Sequence, residues 1–251
     1  MSKHLKRLNA SKTLHIHKKE NKWTVKPSPG AHPIRKSIPL GLIVRDYLKL
    51  VDDLKEAKTI ISNGEILVDG IIRKNYKFPC GLMDVISIPK LKNDYRILFD
   101  KAGKLAIVPI SSKDASWKLC QIDNKTVLRG NKIQLNLHDG RSHLIKKDEY
   151  KTGDVLKFSF NDKKIIDSFK FDNGTVSMII GGSHIGEIAN IEDIEVIKSS
   201  KPNLVKLKAK DNFSTIQDYV FPIGKNKPII EIPEVKIQWA LQRLKNHKRK
   251  K

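Results

Sequence analysis

The sequence predicts an α+β, mostly β chain built of several small domains, with a basic arm at each end. Three observations carry this. Helical periodicity followed by strand and turn signals occupies residues 38–93, whereas from about residue 94 onward short apolar/polar alternations are separated by turn residues. The charge, finally, is concentrated at the termini. Lys and Arg number 49 against 27 acids, for a net charge of +22. Residues 1–36 hold ten Lys/Arg and one acid, and residues 236–251 hold seven and none, so the two ends carry +16 of the +22.

Such a distribution suits a polyanion partner, because each neutralised phosphate releases a counterion. A merely solubilising surface would not gather charge at both termini. An anionic membrane is disfavoured because the arms lack an amphipathic face. No apolar run approaches the ~20 residues of a membrane span, and the N-terminus lacks the apolar core of a secretory signal. Cys80 and Cys120 stand alone without a CxxC pattern, which argues against a disulfide framework or a thiolate zinc site. A reducing, cytoplasmic setting is expected.

Residues 1–37 show no sustained period and contain three prolines. They read as an extended arm ordered only against RNA and removable without unfolding the body. Lys3, Lys6, Arg7, Lys12, Lys18, Lys19, Arg35 and Lys36 would meet phosphates, while His4, Trp23 or His32 could stack on a base. His15 and His17 could in principle hold zinc, but alternating histidines in a polar segment are more simply polar.

Residues 38–93 read as helix, helix, strand, turn, strand. Leu40, Ile43, Val44, Tyr47, Leu48 and Val51 recur on one helical face. Asp53 with Glu56 predicts a capping box and a helix from Leu54, which Asn63-Gly64 should stop. Asp69-Gly70 predicts a tight hairpin. Arg45, Lys49, Lys58, Arg73, Lys74 and Lys77 fall on the polar sides of these elements and are the phosphate candidates, with ordinary solubilising charge as the alternative. Lys outnumbers Arg 40 to 9, so most contacts should position the RNA backbone rather than read bases.

Residues 94–172 read as a small antiparallel barrel or sandwich. Phe158, Phe160, Phe169, Phe171 and Trp117 are more simply core residues than a stacking platform. In residues 173–212 two apolar strands flank Gly181-Gly182-Ser183-His184-Ile185-Gly186, and no helix follows, which argues against a dinucleotide or phosphate loop. Gly182, His184 and Gly186 are the RNA candidates here, through backbone and shape rather than charge. Residues 213–251 read as an extended segment, a helix over Glu234 to about Lys245, and a basic tail in which Arg243, Lys245, Lys248 and Arg249 would meet RNA.

No catalytic constellation is visible. Arg45-Asp46 sits inside a helix, and Asp52-Asp53 and Glu192-Asp193 lie at turns, where caps and solvated loops explain them. No enzyme activity, cofactor, metal or small-molecule substrate is expected.

Several of these stretches carry a resemblance. Ala57, Ile60, Ile61, Gly64, Val68 and Gly70, then Gly81, Asp84, Val85 and Ile86, resemble the alpha-L RNA-binding motif of a bacterial small-subunit ribosomal protein. One departure is that the motif's usual Gly-Asp is stretched to Gly81-Leu82-Met83-Asp84, and GLMDVISI resembles the S four e family, the e-type fourth small-subunit ribosomal protein of archaea and eukaryotes. HLKRLNA, Trp23, Pro27–His32 and Ile223–Pro228 resemble the same family, although Leu14 and Ser11 stand where it usually has an aromatic and a proline. Residues 173–197 resemble a KOW motif in an SH3-like barrel. The resemblance implies an alpha-L domain, a central antiparallel β domain, a KOW SH3-like barrel and basic terminal arms, in an archaeal-type member. It also implies a structural role in the body of the small ribosomal subunit, on the 5′ domain of its rRNA and beside neighbouring small-subunit proteins. The rival classes are a soluble RNA-binding translation or transcription factor and, third, an RNA-modifying enzyme.

Overall fold

The structure is a computed structural model that describes residues 4–230 apart from Asn131, Lys163 and Lys210. Three five-stranded antiparallel sheets follow one another along the chain. The first contains Leu67–Val68, Ile71–Ile72, Val85–Ile88, Asn93–Phe99 and Leu105–Ile110, with Val85–Ile88 between the Leu67 and Asn93 strands. The central sheet is organised on the long strand Trp117–Leu128. A register shift between Ile122 and Asn124 divides that strand. Its first half pairs with Val155–Ser159 and its second with Lys132–Leu137. Ser142–Ile145 and Ile165–Phe169 form the edges. In the last sheet Val176–Ile179 lies between Ile188–Glu195 and the returning strand Val220–Gly224, with Leu204–Lys208 and Asn212–Ile216 beyond.

Pairing moves three of the expected boundaries. Asn93–Phe99 pairs with Val85–Ile88, so the first sheet runs through Ile110 rather than ending at 93. Val220–Gly224 pairs with Val176–Ile179, so the last sheet runs through Gly224 rather than ending at 212. Ser37–Pro39 pairs with Pro79–Gly81, so the arm is joined to the body at 37. In each case backbone hydrogen bonds to a distant strand outweigh the local change in pattern that suggested a border. The expected helix over 234–245 and the tail after it lie outside the described residues.

The two helices expected in residues 38–63 differ in how closely they follow the local code. Leu54–Ser62 starts where expected and turns off at Gly64, whose φ of 80° suits a helix end. Asp53 makes no side-chain cap; instead Glu56 accepts the N–H of Asp52, 3.3 Å away, completing half of a capping box one residue early. The first helix is shorter than the apolar period through Val51 suggests. One α turn at Leu40–Leu42 widens into a π turn at Ile43–Tyr47, and Lys49 then takes a φ of 52°. The wider turn keeps Leu40, Leu42, Ile43 and Val44 fully buried while Leu48 and Leu50 bond back to Ile43 and Val44.

One apolar cluster runs through all three sheets, from Ile38 and Ile61 past Leu98, Trp117 and Phe169 to Met178 and Phe221. The N-terminal arm belongs to it. Ala10, Leu14 and Val25 are buried, Leu5–Lys6 pairs with Trp23–Thr24, and the N–H of Leu105 bonds to Thr13. A free arm ordered only by RNA was expected, but enough apolar side chains interrupt its basic residues to fold it against the body. Leu14→Ala should therefore lower the unfolding free energy of the full chain by about 2–4 kcal/mol, whereas Leu8→Ala, at a site 65% exposed, should change it by less than about 0.5 kcal/mol. Urea titrations followed by tryptophan fluorescence distinguish this from a loose arm, for which both changes would be small.

Candidate nucleic-acid interface

The strand Ile71–Ile72 at the edge of the first sheet leads into Arg73-Lys74-Asn75-Tyr76-Lys77-Phe78, in which cations alternate with aromatics. The fold brings helix Leu54–Ser62 beside this segment. Lys58 Nζ and Lys77 Nζ lie 4.7 and 5.6 Å from the centre of the Tyr76 ring, and the Arg73 guanidinium lies 4.4 Å from that of Phe78. The rings hold the cations in place while leaving N–H donors for phosphate oxygens. Lys58, Arg73 and Lys77 are thus brought together, with exposed Lys74 beside them. Tyr76 and Phe78 were not singled out from sequence, although their alternation with cations was a readable signal. Of the other candidates in this region, Arg45 forms a two-point ion pair with Asp46 at 2.6 and 3.0 Å, and Lys49 is exposed in its left-handed turn.

The arm adds a second patch. Trp23 is half-exposed, with the His4 ring 5.4 Å away and Lys22 Nζ 5.5 Å from the ring centre. Lys6, Lys12, Lys19, Arg35 and Lys36 are exposed, and Lys18 donates to the carbonyl of Ala10 at 3.3 Å. Ser28 binds the Lys77 carbonyl through both its N–H and its hydroxyl, which ties the arm to the first patch. Two expected contacts are turned inward. Arg7 is only 4% exposed; it donates to the His17 carbonyl at 2.5 Å and pairs with Glu20 at 3.3 Å. His32 is buried against Asp84 at 3.0 Å. Neither side chain can reach phosphate or stack on a base without unfolding this segment, because both are consumed by internal partners.

In the glycine-rich loop, His184 stacks on Phe213 with ring centres 3.9 Å apart and planes 12° apart, and its Nδ1 meets Glu187 at 3.1 Å. Gly182 is exposed at a φ of 84°. Gly186 is buried at a φ of 82°, and a Cβ there would come within 2.7 Å of the Asp100 carbonyl. Its freedom serves close packing on the chain's own backbone rather than approach to RNA. Lys3, Arg243, Lys245, Lys248 and Arg249 lie outside the described residues.

Beneath the first patch sits a buried network that sequence reading missed entirely. Lys118, fully buried on the central strand, lies 2.7 Å from Asp69, 3.0 Å from Asp84 and 2.6 Å from Asp139. Its ammonium stands where a cation bound by three carboxylates would stand. Arg141 closes the outer side, 2.7 Å from Asp69 and 3.4 Å from Asp139. Asp84 also accepts the N–H of Gly81 and faces His32, while Asp69 accepts the N–H of Val85. A Cβ on Gly81 would fall 2.3 Å from the His32 ring, so the glycine is what admits the histidine. Asp69, Arg73, Phe78, Lys118 and Arg141 all line one cleft of about 210 Å³, so the network forms the floor beneath the aromatic–cation patch.

The titration behaviour follows from this packing. Burial pulls Lys118 down, but Asp84 and Asp69 more than offset it and hold the ammonium well above its usual range. Burial pushes Asp84 up, but Lys118 and His32 hold it below the carboxylate range; Lys118 does the same for Asp139. Asp69 goes the other way, raised by burial and by the charge of Asp84. His138, raised by nothing strong enough to oppose burial and the nearby Lys118, is lowered to about 4 and is neutral.

The chain belongs to a known class of ribosomal proteins. The model for the ribosomal family S4e matches residues 91–165, and that for the RS4NT domain matches residues 1–35. A protein of Methanothermobacter thermautotrophicus named small ribosomal subunit protein eS4 is 48% identical over 92% of this chain and 96% of its own. The protein of that name from Archaeoglobus fulgidus is 48% identical over 91% and 97%. The crystal structure of the 30S ribosomal protein S4e from Thermoplasma acidophilum superposes with a TM-score of 0.67 at 38% identity, covering 76% of this chain and 96% of that one. This chain is a member of the S4e family.

Replacing Lys118 by Met should cost about 3–5 kcal/mol near pH 7, since three carboxylates lose their buried cation. The sign with pH is specific. In the native chain the depressed Asp84 and Asp139 contribute stability above the unfolded carboxylate pKa of about 4 and lose it only as acid reaches their folded values. In the variant the buried carboxylates keep only Arg141 at the outer side and His32, so they titrate above about 4, protonation favours the fold and the deficit shrinks from pH 8 to pH 5. Denaturant titrations at both pH values check this; a deficit independent of pH would mean the carboxylates do not depend on Lys118.

Proposed function

We propose that this chain is a structural constituent of the small ribosomal subunit that binds its rRNA and acts by position and charge rather than by catalysis. The observation that carries this reading is the convergence of Lys58, Arg73 and Lys77 on Tyr76 and Phe78, beside an arm that presents Trp23 and further exposed cations. Cations fixed over rings lose less freedom when they meet phosphate than free lysines do, and the half-exposed Trp23 ring can accept an unpaired base. The membership of the S4e family and the relatives' names support the ribosomal setting, in the cytoplasm.

At finer grain, the helix Leu54–Ser62 with the first sheet serves as an alpha-L module, and the last sheet as an SH3-like barrel presenting a KOW loop. The strand order of the last sheet supports this, because its fifth strand returns beside its first. The two modules and the arm bind the 5′ domain of the rRNA in the body of the subunit, beside neighbouring proteins, and the basic tail extends that contact.

A cell extract sedimented through high-salt sucrose tests the setting. The protein should remain on the small subunit at one copy each; sedimentation at the top of the gradient would make it a soluble RNA-binding factor instead. A second experiment tests the surface. The triple change Lys58→Gln, Arg73→Gln and Lys77→Gln should reduce the slope of log affinity for small-subunit rRNA against log salt by about 2–3, at roughly 0.7–0.9 per phosphate contact. An unchanged slope would place the phosphate contacts elsewhere.

A further inference from the structure

The central sheet carries an outer face that none of these patches uses. Cross-strand partners share a face, and the registers Asn124↔Asn136, Thr126↔Gln134 and Gln134↔Leu144 put these side chains on one side of three strands, with Leu128 beyond them. The opposite side buries Leu135 and Leu137 in a cluster with Cys120, Ile122 and Leu156, against which Ile133 and Ile145 pack. On the outer side the amides are bonded into a row. Gln134 Nε2 donates to Asn136 Oδ1 at 2.7 Å, and Asn136 Nδ2 donates to Asn124 Oδ1 at 2.5 Å and to Thr126 Oγ1 at 3.1 Å. Asn124, Thr126, Leu128 and Leu144 are exposed.

That row carries no charge, in a chain of net charge +22. The exposed side of the last sheet is built differently, with cross-strand ion pairs Lys206–Asp193 and Lys208–Glu192. Charge does appear at the end of the central hairpin. Arg129 and Lys132 are exposed there, and because Ile145 pairs with Ile133, exposed Lys146 and Lys147 follow at the same end. The surface is therefore a fixed grid of neutral donors and acceptors with cations along one margin.

We propose that this face docks in the minor groove of a double-helical segment of the rRNA. The inference rests on the RNA-binding function above and assigns it a further surface. The RNA minor groove is wide and shallow and displays ribose 2′-hydroxyls, each both donor and acceptor, which a row of amides and a hydroxyl can match. Leu128 and Leu144 lie against ribose edges, and the cations at the hairpin end meet the flanking phosphates. A protein partner fits less well, since interface centres are rich in aromatic and apolar side chains and this face offers two leucines among amides.

The test uses the full chain and small-subunit rRNA with random 2′-deoxy substitutions, separating bound from free RNA and mapping the positions at which loss of the hydroxyl weakens binding. In the native protein these should include a cluster facing one minor groove. The double change Thr126→Val and Asn136→Leu keeps the shapes and removes the hydrogen bonds; it should erase that cluster, leave the others, and weaken binding about tenfold. A cluster that persists in the variant, or no interference in the native protein, overturns the proposal. Salt-sensitive binding would survive either result if the basic patches work as described, so the two readings fail separately. Should the variant melt early, Leu144→Cys answers independently, because Cys80 and Cys120 are buried. A thiol cross-linker at that site in assembled subunits should capture RNA, and capture of protein alone overturns the proposal.

Discussion

A single buried ammonium determines how this molecule is put together. Lys118 enters from the central sheet, Asp69 and Asp84 from the first, and Asp139 from the turn after Lys132–Leu137, while the arm contributes His32. None of these groups could be buried alone, since an isolated ion in a protein interior costs several kcal/mol. Together they satisfy one another, and they do so where the two sheets and the arm meet. Ion pairs of this kind contribute little net stability compared with an apolar core, but they are intolerant of misplacement, as the tight fit of His32 over Gly81 illustrates. The apolar cluster holds the parts together, and the network fixes where they sit.

This matters for a surface proposed to meet folded RNA by shape. Arg73 and Phe78 border the cleft whose floor is Asp69, Lys118 and Arg141. The carboxylates absorb the charge of Lys118 and Arg141 inward and leave the cations outside them to the ligand. Rigid placement lowers the ordering cost of binding, which for long lysine side chains is a substantial part of the total. The arm, packed through Leu14 and Val25, gains the same advantage.

What could be read from sequence divides along physical lines. The helix at Leu54, its stop at Gly64 and the turn at Asp69-Gly70 were legible because neighbouring residues decide them; Asp69 and Gly70 indeed take φ values of 53° and 73°. The π turn at Ile43–Tyr47 was not, because the apolar spacing from Leu40 to Val51 fits an α-helix as well, and the turn accompanies the full burial of Leu42 and Val44. The network was invisible for the same reason. Asp69 looked like a turn former, Lys118 like one more lysine in a basic chain, and Asp84 like part of a family signature. In the fold the two added residues Leu82 and Met83, the latter at a φ of 67°, swing Asp84 back to accept the N–H of Gly81. Charge counting placed Arg7 on RNA and could not know that Glu20 and the His17 carbonyl would claim it.

On the readings proposed above, two kinds of RNA recognition share one frame, and each makes up for what the other lacks. Exposed lysines bring affinity, but the attraction is sequence-independent, long in range and screened by salt, so by itself it would hold the protein to many RNA surfaces. A neutral row such as Asn124, Thr126, Gln134 and Asn136 adds little affinity at a distance, because each group exchanges water for a partner of similar strength. Its contribution is discrimination, since a mismatched groove leaves desolvated amides without partners. With only 9 arginines in the chain, bidentate reading of bases cannot supply that discrimination broadly. On those readings, separating charge at the arm and first sheet from hydrogen-bonding shape on the central sheet would let the protein arrive by electrostatics and remain only where the RNA fits.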